Sequence, residues 1–550
     1  MKLVIVGGVA GGASAAARAR RLSETAEIIL FERGPDVSFA NCGLPYYVGG
    51  EIANRDKLLV TTPERLRSWF RLDVRTRSSV EAIDPAGRTV TVRDLESGRE
   101  YTETYDRLIL APGAAPLRPP IPGIDLPGVM TLRNLQDVDA IKAAVDGGAR
   151  RVVVVGAGFI GLELVENLVR REVTTTLVEL QDQVLPPLDR ELTTPILEAL
   201  RSRGVTVRLS QSADRIEAGP GELSVQLTSG ERIAADLVIL GVGVRPENAL
   251  AKNAGLAVGP RGGIQVNEHL QTAVPEIYAV GDAIEVLDFV TGLPTQTPLA
   301  GPANRQGRIA ADHIFGREAR FRGTQGTAIV GVFQLTAAMT GASEKLLLRI
   351  GRPFRKVYVH PAHHAGYYPG AEGMTLKLTF DPETGRLFGA QGVGGAGVDK
   401  RIDVLATAIQ AGMTVFDLEE LELAYAPQYG SAKDPVNMAG FVASGVLRGD
   451  HPQWDVEAVL SEPLASRPLL LDVRTPQEFS QGRLPDAVNI PIAELRQRLN
   501  ELPRDRRIAA YCQVGQRGYL ATRVLLQAGF NAANLGGGYR TYRQFFPDAR

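Results

Sequence analysis

Apolar runs, glycine turns and helical stretches follow one another in the same order at two places in the chain. In the first, Lys2–Val6 reads as a buried strand, Gly7-Gly8-Val9-Ala10-Gly11-Gly12 as a tight turn, and the Ala- and Arg-rich Ala13–Leu22 as a helix. A further apolar run, Glu27–Phe31, ends at the acid Glu32. In the second, Arg151–Val155 leads into Gly156-Ala157-Gly158-Phe159-Ile160-Gly161, a helical Leu162–Arg170, and Thr175–Val178 ending at Glu179. Strand, glycine turn, helix, strand and acid at this spacing match a dinucleotide-binding βαβ unit. The glycines let the turn tighten and let a pyrophosphate approach the helix N-terminus, whose free N–H groups and dipole favour negative charge. The acid accepts hydrogen bonds from a ribose. In the first copy Val9 stands where the middle glycine would be. Two such units imply two nucleotides, and hydride relay through a flavin uses both.

Two more apolar strands end in glycine turns, Leu108–Gly113 and Leu237–Gly243, and would close the first and second sheets. The run Thr272–Asp282 ends in Gly281-Asp282, returning the chain to the first domain and setting a carboxylate beside polyol hydroxyls. From about residue 330 to 445 the pattern is mixed. Met374–Phe380 alternates apolar and polar residues and Lys400–Gln410 is helical, which predicts a separate α+β domain. Ser444–Trp454, with its glycines, Asp450 and Pro452, reads as a linker, and Leu469–Val473 restarts an α/β pattern. At about 150 residues per domain, 550 residues suggest three to four domains. The expected fold class is α/β, with Rossmann-like domains at 1–115 plus 270–325 and at 116–269, an α+β domain at 326–445 and an α/β domain at 455–550.

Composition narrows the partners. Of the residues, 44% are hydrophobic and 22% charged, which excludes wholesale disorder. The net charge of -1 gives nothing global to attract nucleic acid or acidic lipid. Two cysteines exclude a disulfide framework and suit a reducing cytosol. The chain opens on an apolar strand with no basic leader, and has no run of 18 apolar, glycine-free residues. A soluble cytoplasmic protein without membrane or nucleic-acid partners is expected.

Directly after the first βαβ unit comes Ser38-Phe39-Ala40-Asn41-Cys42-Gly43-Leu44-Pro45-Tyr46-Tyr47. Here the sequence resembles the pyridine nucleotide-disulfide oxidoreductases, and more closely their coenzyme A-disulfide reductase group with its single active-site cysteine. The resemblance runs from residue 1 to about 445. Two-cysteine members carry Cys-x₄-Cys at this point; here the fifth residue beyond Cys42 is Tyr47, so no internal redox disulfide forms. Cys42 is then expected to cycle as a thiolate, mixed disulfide or persulfide with a substrate sulfur. Against an oxidised flavin, with a helix N-terminus or hydrogen-bond donors nearby, it would stay deprotonated at neutral pH.

The resemblance implies the remaining sites. Gly7, Gly12, Glu32, Arg33, Ala111, Gly281 and Asp282 would contact FAD; Gly156, Gly158, Gly161 and Glu179 would hold the nicotinamide nucleotide. Glu179 repels a 2′-phosphate and residues 180–187 contain no Lys or Arg, which favours NADH over NADPH. The 326–445 domain resembles the dimerisation domain, implying a homodimer. Tyr367 and Tyr425 match tyrosines that the family's partner subunit brings to the thiol, where a phenol can protonate a leaving thiolate; read from residues alone they are core or interface aromatics. Ser38, Asn41, Arg18, Arg21 and Arg65 match coenzyme A contacts, and Arg18 and Arg21 share a helix face. No metal site is expected.

The last hundred residues resemble a rhodanese domain. Its entry reads Leu471-Asp472-Val473-Arg474-Thr475-Pro476, and its active-site loop Cys512-Gln513-Val514-Gly515-Gln516-Arg517, with Cys512 and Arg517 as catalytic candidates. A cysteine at a strand end, followed by a short loop into a helix, meets backbone N–H donors that stabilise a persulfide anion. Six residues suit a sulfur atom. Gly537-Gly538-Tyr539 replaces the usual Gly-Gly-Trp. The chain is therefore expected to pass electrons from NADH through FAD and Cys42 to a persulfide, polysulfide or coenzyme A disulfide, with Cys512 carrying sulfane sulfur. Three alternatives stay open: an NADH oxidase or peroxidase cycling through a sulfenic acid, a thiosulfate sulfurtransferase with a vestigial reductase, and a non-catalytic redox-sensing scaffold.

Overall fold

Two five-stranded parallel sheets grow from the two glycine-turn units. In the computed structural model, which describes residues 1–548, the first sheet runs Ile277–Ala279, Arg107–Leu110, Lys2–Val6, Glu27–Phe31, Asp73–Arg75. The second runs Thr206–Arg208, Thr174–Val178, Arg151–Val155, Leu237–Leu240, Val129–Thr131. Their central strands are buried on both faces, as the continuous Val, Ile and Leu runs require of parallel strands covered on two sides. Each domain also carries a three-stranded antiparallel sheet, Ser78–Thr104 in the first and Ala213–Ala235 in the second.

The chain divides into two units: Met1–Asp182 with Arg203–Thr324, and Gln183–Ser202 with Gln325 onward. The second unit therefore borrows the helix Arg190–Ser202 from the middle of the second nucleotide-binding sequence. Its antiparallel sheet orders Ala328–Val332, Leu335–Gly341, Leu387–Gly394, Met374–Phe380, Arg355–Val359. A five-stranded parallel sheet follows: Gln453–Trp454, Ala532–Leu535, Ile508–Tyr511, Leu469–Asp472, Val488–Asn489.

Two features of this unit bear on the sequence reading. The alternating Met374–Phe380 is buried at all its positions, because its polar face is covered as well: Lys377 Nζ bonds Asp189 (2.8 Å), Glu191 (2.6 Å) and Glu344 (2.5 Å). That ammonium fills the one cluster of carboxylates among the described residues that has metal-ligand spacing. The network continues from Glu344 to Lys356, which also bonds Glu457 and lies 3.7 Å from Asp455. Second, the expected linker Ser444–Trp454 is mostly regular structure. The helix Pro435–Arg448 runs through Ser444 to a left-handed Gly449 cap, and Gln453–Trp454 is an edge strand, leaving a short connection. Gly440 and Gly445 are helical glycines at close approaches, where a Cβ would lie 2.8 Å from Leu418 and 3.0 Å from His451. No helix among the described residues is long and apolar enough to cross a membrane.

Candidate functional site

The first glycine turn is shaped by close backbone approach. Gly7 has φ +100°, and a Cβ on Gly12 would lie 1.9 Å from the Gly7 oxygen. The helix Ala10–Leu22 starts with no side-chain cap, so its first N–H groups are open to a phosphate. Val9, in place of the middle glycine, keeps a negative φ of -96°. Glu32 accepts hydrogen bonds from the N–H of Gly8 (2.7 Å) and Gly34 (2.8 Å). Burial pushes its carboxyl above the ordinary range against those two bonds. Asp282 is likewise raised by burial and held back by the Arg133 charge. Ala111 hydrogen-bonds back to Val6 O (2.7 Å), Gly281 N–H is held by Gln306 (2.8 Å), and Arg33 pairs with Glu247 (3.2 Å).

Arg133 was not legible as a site residue. Its Nη1 is buried and makes no hydrogen bond, although it lies 3.5 Å from Glu247. Burial lowers its pKa, and the charges of Glu247, Asp282 and Glu32 oppose this. An uncapped helix start, a carboxylate at the next strand end and a buried guanidinium nitrogen without a partner fit the pyrophosphate and ribose of FAD. In the second copy Gly156 has φ +105°, and a Cβ on Gly161 would lie 1.9 Å from Gly156 O. A Cβ on Gly158 would meet nothing, so that side of the turn is open. Glu179, buried, accepts from Ala157 N–H (2.7 Å) and Gln181 N–H (2.9 Å).

Cys42 sits in the short turn Asn41–Gly43 that leads into the helix Leu44–Gly49, and is exposed and free. Ser38, four residues ahead, is held at φ +47° with its N–H on Gly8 O, and Asn41 Nδ2 donates to Arg133 O (3.0 Å). The chain's own groups around Cys42 favour the thiol rather than the thiolate. Loss of water around the sulfur raises the thiol pKa, and the carboxylates of Glu163 and Asp282 raise it further. Glu163, also missed by sequence reasoning, accepts a hydrogen bond from Tyr46 OH (3.1 Å), and burial pushes its carboxyl up. Its one signal was an acid directly after the apolar opening Phe159-Ile160-Gly161-Leu162 of the helix Phe159–Arg170.

Of the cations expected to meet coenzyme A, Arg18 is tied to Asp312 by two bonds (2.8 and 2.5 Å), while Arg21 is exposed in the last turn of the same helix. In the second unit, Tyr367 and Tyr425, 76% and 48% exposed, join hydroxyl to hydroxyl at 3.0 Å. That bond pushes the Tyr367 phenol up.

Cys512 is buried at the end of strand Ile508–Tyr511. Among the described residues, the N–H groups of Gln513, Val514 and Gly515 find no protein acceptor, and the helix Gln516–Gln527 starts uncapped from Gly515 at φ +95°. The carbonyls are held instead: Cys512 O by Tyr539 N–H (2.7 Å), Gln513 O by Arg540 N–H (2.9 Å), Gly515 O by Asn534 Nδ2 (3.0 Å). Arg517 grips Glu478 with two bonds (2.7 and 2.8 Å) and holds its carboxyl down at about 2. Arg474, buried on Asp472, lies 4.2 Å from the Tyr539 ring, so a tyrosine serves here as the aromatic face for that cation.

Family models match the whole of this layout. Residues 1–307 match the pyridine nucleotide-disulphide oxidoreductase model, 327–434 its dimerisation domain, and 456–544 a rhodanese-like domain. The chain belongs to the pyridine nucleotide-disulphide oxidoreductases. It is 37% identical to a coenzyme A disulfide reductase of Staphylococcus haemolyticus, over 80% of this chain and 99% of that protein. The reduced Bacillus anthracis CoADR-RHD structure covers 100% of this chain, and 98% of its own, at 48% identity and a TM-score of 0.97. A NAD-dependent persulfide reductase of A. fulgidus covers 98%, and 100% of its own, at 38% identity and a TM-score of 0.92. As a member of this oxidoreductase family with a C-terminal rhodanese domain, the chain is an α/β flavoprotein whose family uses FAD and NAD(P)H.

Proposed function

We propose that this oxidoreductase uses NADH to reduce a sulfur–sulfur bond carried by coenzyme A, and that Cys512 supplies or accepts the sulfane sulfur. Gly7, Gly12, Glu32, Arg33, Arg133, Ala111, Gly281 and Asp282 would hold FAD, which when bound would supply the two-electron relay between the reduced nicotinamide and sulfur. Glu179 orients the nucleotide's ribose and, already engaged by two backbone N–H groups, disfavours a 2′-phosphate, which supports NADH.

The observation that carries the reading is Cys42 itself: exposed, free, within reach of the charges of the half-buried Glu163 and Asp282, with tyrosine where a second cysteine would stand. As a thiolate it attacks one sulfur of the substrate; a bond forms to Cys42 Sγ, the substrate S–S bond breaks, and a thiolate leaves. Tyr367 and Tyr425, whose hydroxyls are hydrogen-bonded to each other, would protonate that leaving group. Glu163, raised by burial and joined to Tyr46, is suited to hold the thiol proton during the cycle. Overall, a coenzyme A persulfide, NADH and a proton yield coenzyme A, hydrogen sulfide and NAD⁺; coenzyme A disulfide yields two thiols. Arg21, Arg65, Ser38 and Asn41 would hold coenzyme A, Arg18 being committed to Asp312. The rhodanese domain favours sulfane sulfur over oxygen as the electron acceptor, because its free N–H loop has no use in an oxidase. A homodimer working in the reducing cytoplasm fits the dimerisation domain and the two free thiols.

Cys42→Ser abolishes NADH-linked sulfide release from coenzyme A persulfide, and Cys512→Ser spares coenzyme A disulfide reduction while removing sulfurtransfer. Retained turnover in Cys42→Ser, or loss of both activities in Cys512→Ser, overturns the assignment.

A further inference from the structure

The first unit displays an aromatic side chain that its core does not use. Trp69, on the helix Pro63–Phe70, is 71% exposed, and the guanidinium of Arg65 lies 4.8 Å from its ring centroid. The two are i and i+4, so they share one face of the helix. Arg20 fixes the end of this helix: it donates to Phe70 O (2.8 Å) and Arg71 O (3.0 Å) from the last turns of the helix Ala10–Leu22. The next residue along is the exposed Arg21. Most cations nearby are already matched: Arg18 by Asp312, Arg67 by Glu64, Arg71 by Glu24. Arg21 and Arg65 have no carboxylate partner among the described residues.

We propose that Trp69 is the platform on which the purine base of a coenzyme A-linked substrate stacks, with Arg65 behind the ring and Arg21 meeting phosphate charge. The inference rests on the coenzyme A reading above and places the nucleotide end of that substrate. Arg65 covers one face of the indole, and the exposure leaves the other open to a planar base. Every purine has such a face, and stacking on an aromatic side chain needs no hydrogen-bond readout. Unpaired guanidinium groups complete the match to a phosphorylated nucleotide. Pantethine, the same disulfide without its adenosine and phosphates, would gain nothing from this surface.

The test compares Trp69→Ala and Trp69→Phe with the parent flavoprotein in steady-state NADH oxidation. With coenzyme A disulfide, Trp69→Ala raises KM about 5- to 100-fold at nearly constant kcat, and Trp69→Phe recovers most of the loss. With pantethine, KM stays within about twofold in both variants. Adenosine 3′,5′-bisphosphate quenches the tryptophan emission of the parent protein and not that of Trp69→Ala. Equal loss on both disulfides, unchanged KM for coenzyme A disulfide, or quenching that survives Trp69→Ala overturns the proposal. If the parent protein reduces neither disulfide, the functional reading falls, and the quenching experiment still decides the platform.

Discussion

Replacing Lys377 by Met should reverse the pH dependence of the second unit's stability. The ammonium is buried with three carboxylates at 2.5–2.8 Å, one of which, Glu344, also bonds Lys356. Each pair at that distance is worth about 6 kcal/mol of attraction at an effective dielectric of about 20, most of it spent on desolvation. Removing one member of such a cluster costs about 3–5 kcal/mol, because the charges left behind are buried without compensation. For a unit of this size that lowers its apparent Tm by about 6–20 °C. In the parent protein burial pushes the carboxyls of Asp189 and Glu344 up, and Lys377 outweighs it, so both titrate below the ordinary carboxylate range. Their contribution is therefore present above the unfolded pKa and lost as pH falls through the folded pKa. Without the ammonium, burial and mutual repulsion raise at least Asp189, and its contribution is lost as pH rises through the new folded pKa. Thermal unfolding followed by circular dichroism at pH 5 and pH 8 reads this directly. The Lys377→Met deficit should be larger at pH 8. A deficit equal at both pH values, or larger at pH 5, would refute the reasoning.

Other outcomes follow from single contacts. Gly12→Ala places a Cβ 1.9 Å from Gly7 O, so the purified protein should lose most of its yellow flavin absorbance relative to protein; full flavin content would show that the turn can open. Glu163→Gln removes one of the two charges that raise the Cys42 thiol, so the pH profile of Cys42 alkylation should move to lower pH. Tyr367→Phe and Tyr425→Phe should each slow turnover about 100- to 10,000-fold, and the double variant should be little worse than either single one, since their hydroxyls act as one hydrogen-bonded group. Additive losses would separate their roles.

The parts of this architecture written in local pattern were legible: both glycine turns, the acids Glu32 and Glu179 at their strand ends, and the cysteine at the end of Ile508–Tyr511. What sequence could not supply was charge brought together from afar. Lys377 looked like the polar side of a strand because its partners lie near residues 189 and 344. Arg133 and Glu163 carry no motif of their own, and only folding sets them beside Asp282 and Cys42. The linker was misread for the opposite reason: Gly445, taken as a breaker, is a helical position where a Cβ would lie 3.0 Å from His451.

The helix Arg190–Ser202 sets a condition on taking the protein apart. A fragment beginning at Gln325 would carry both the dimerisation and rhodanese sequences yet omit Asp189 and Glu191, leaving Lys377 one carboxylate of its three. It would also lose Thr194, whose hydroxyl donates to Gln544 O (2.6 Å) near the C-terminus. Even the rhodanese sequence cut out alone would forfeit that clasp and the grip of Lys356 on Glu457. Failure of such a truncated piece to carry sulfur would report a missing brace, and say nothing against Cys512.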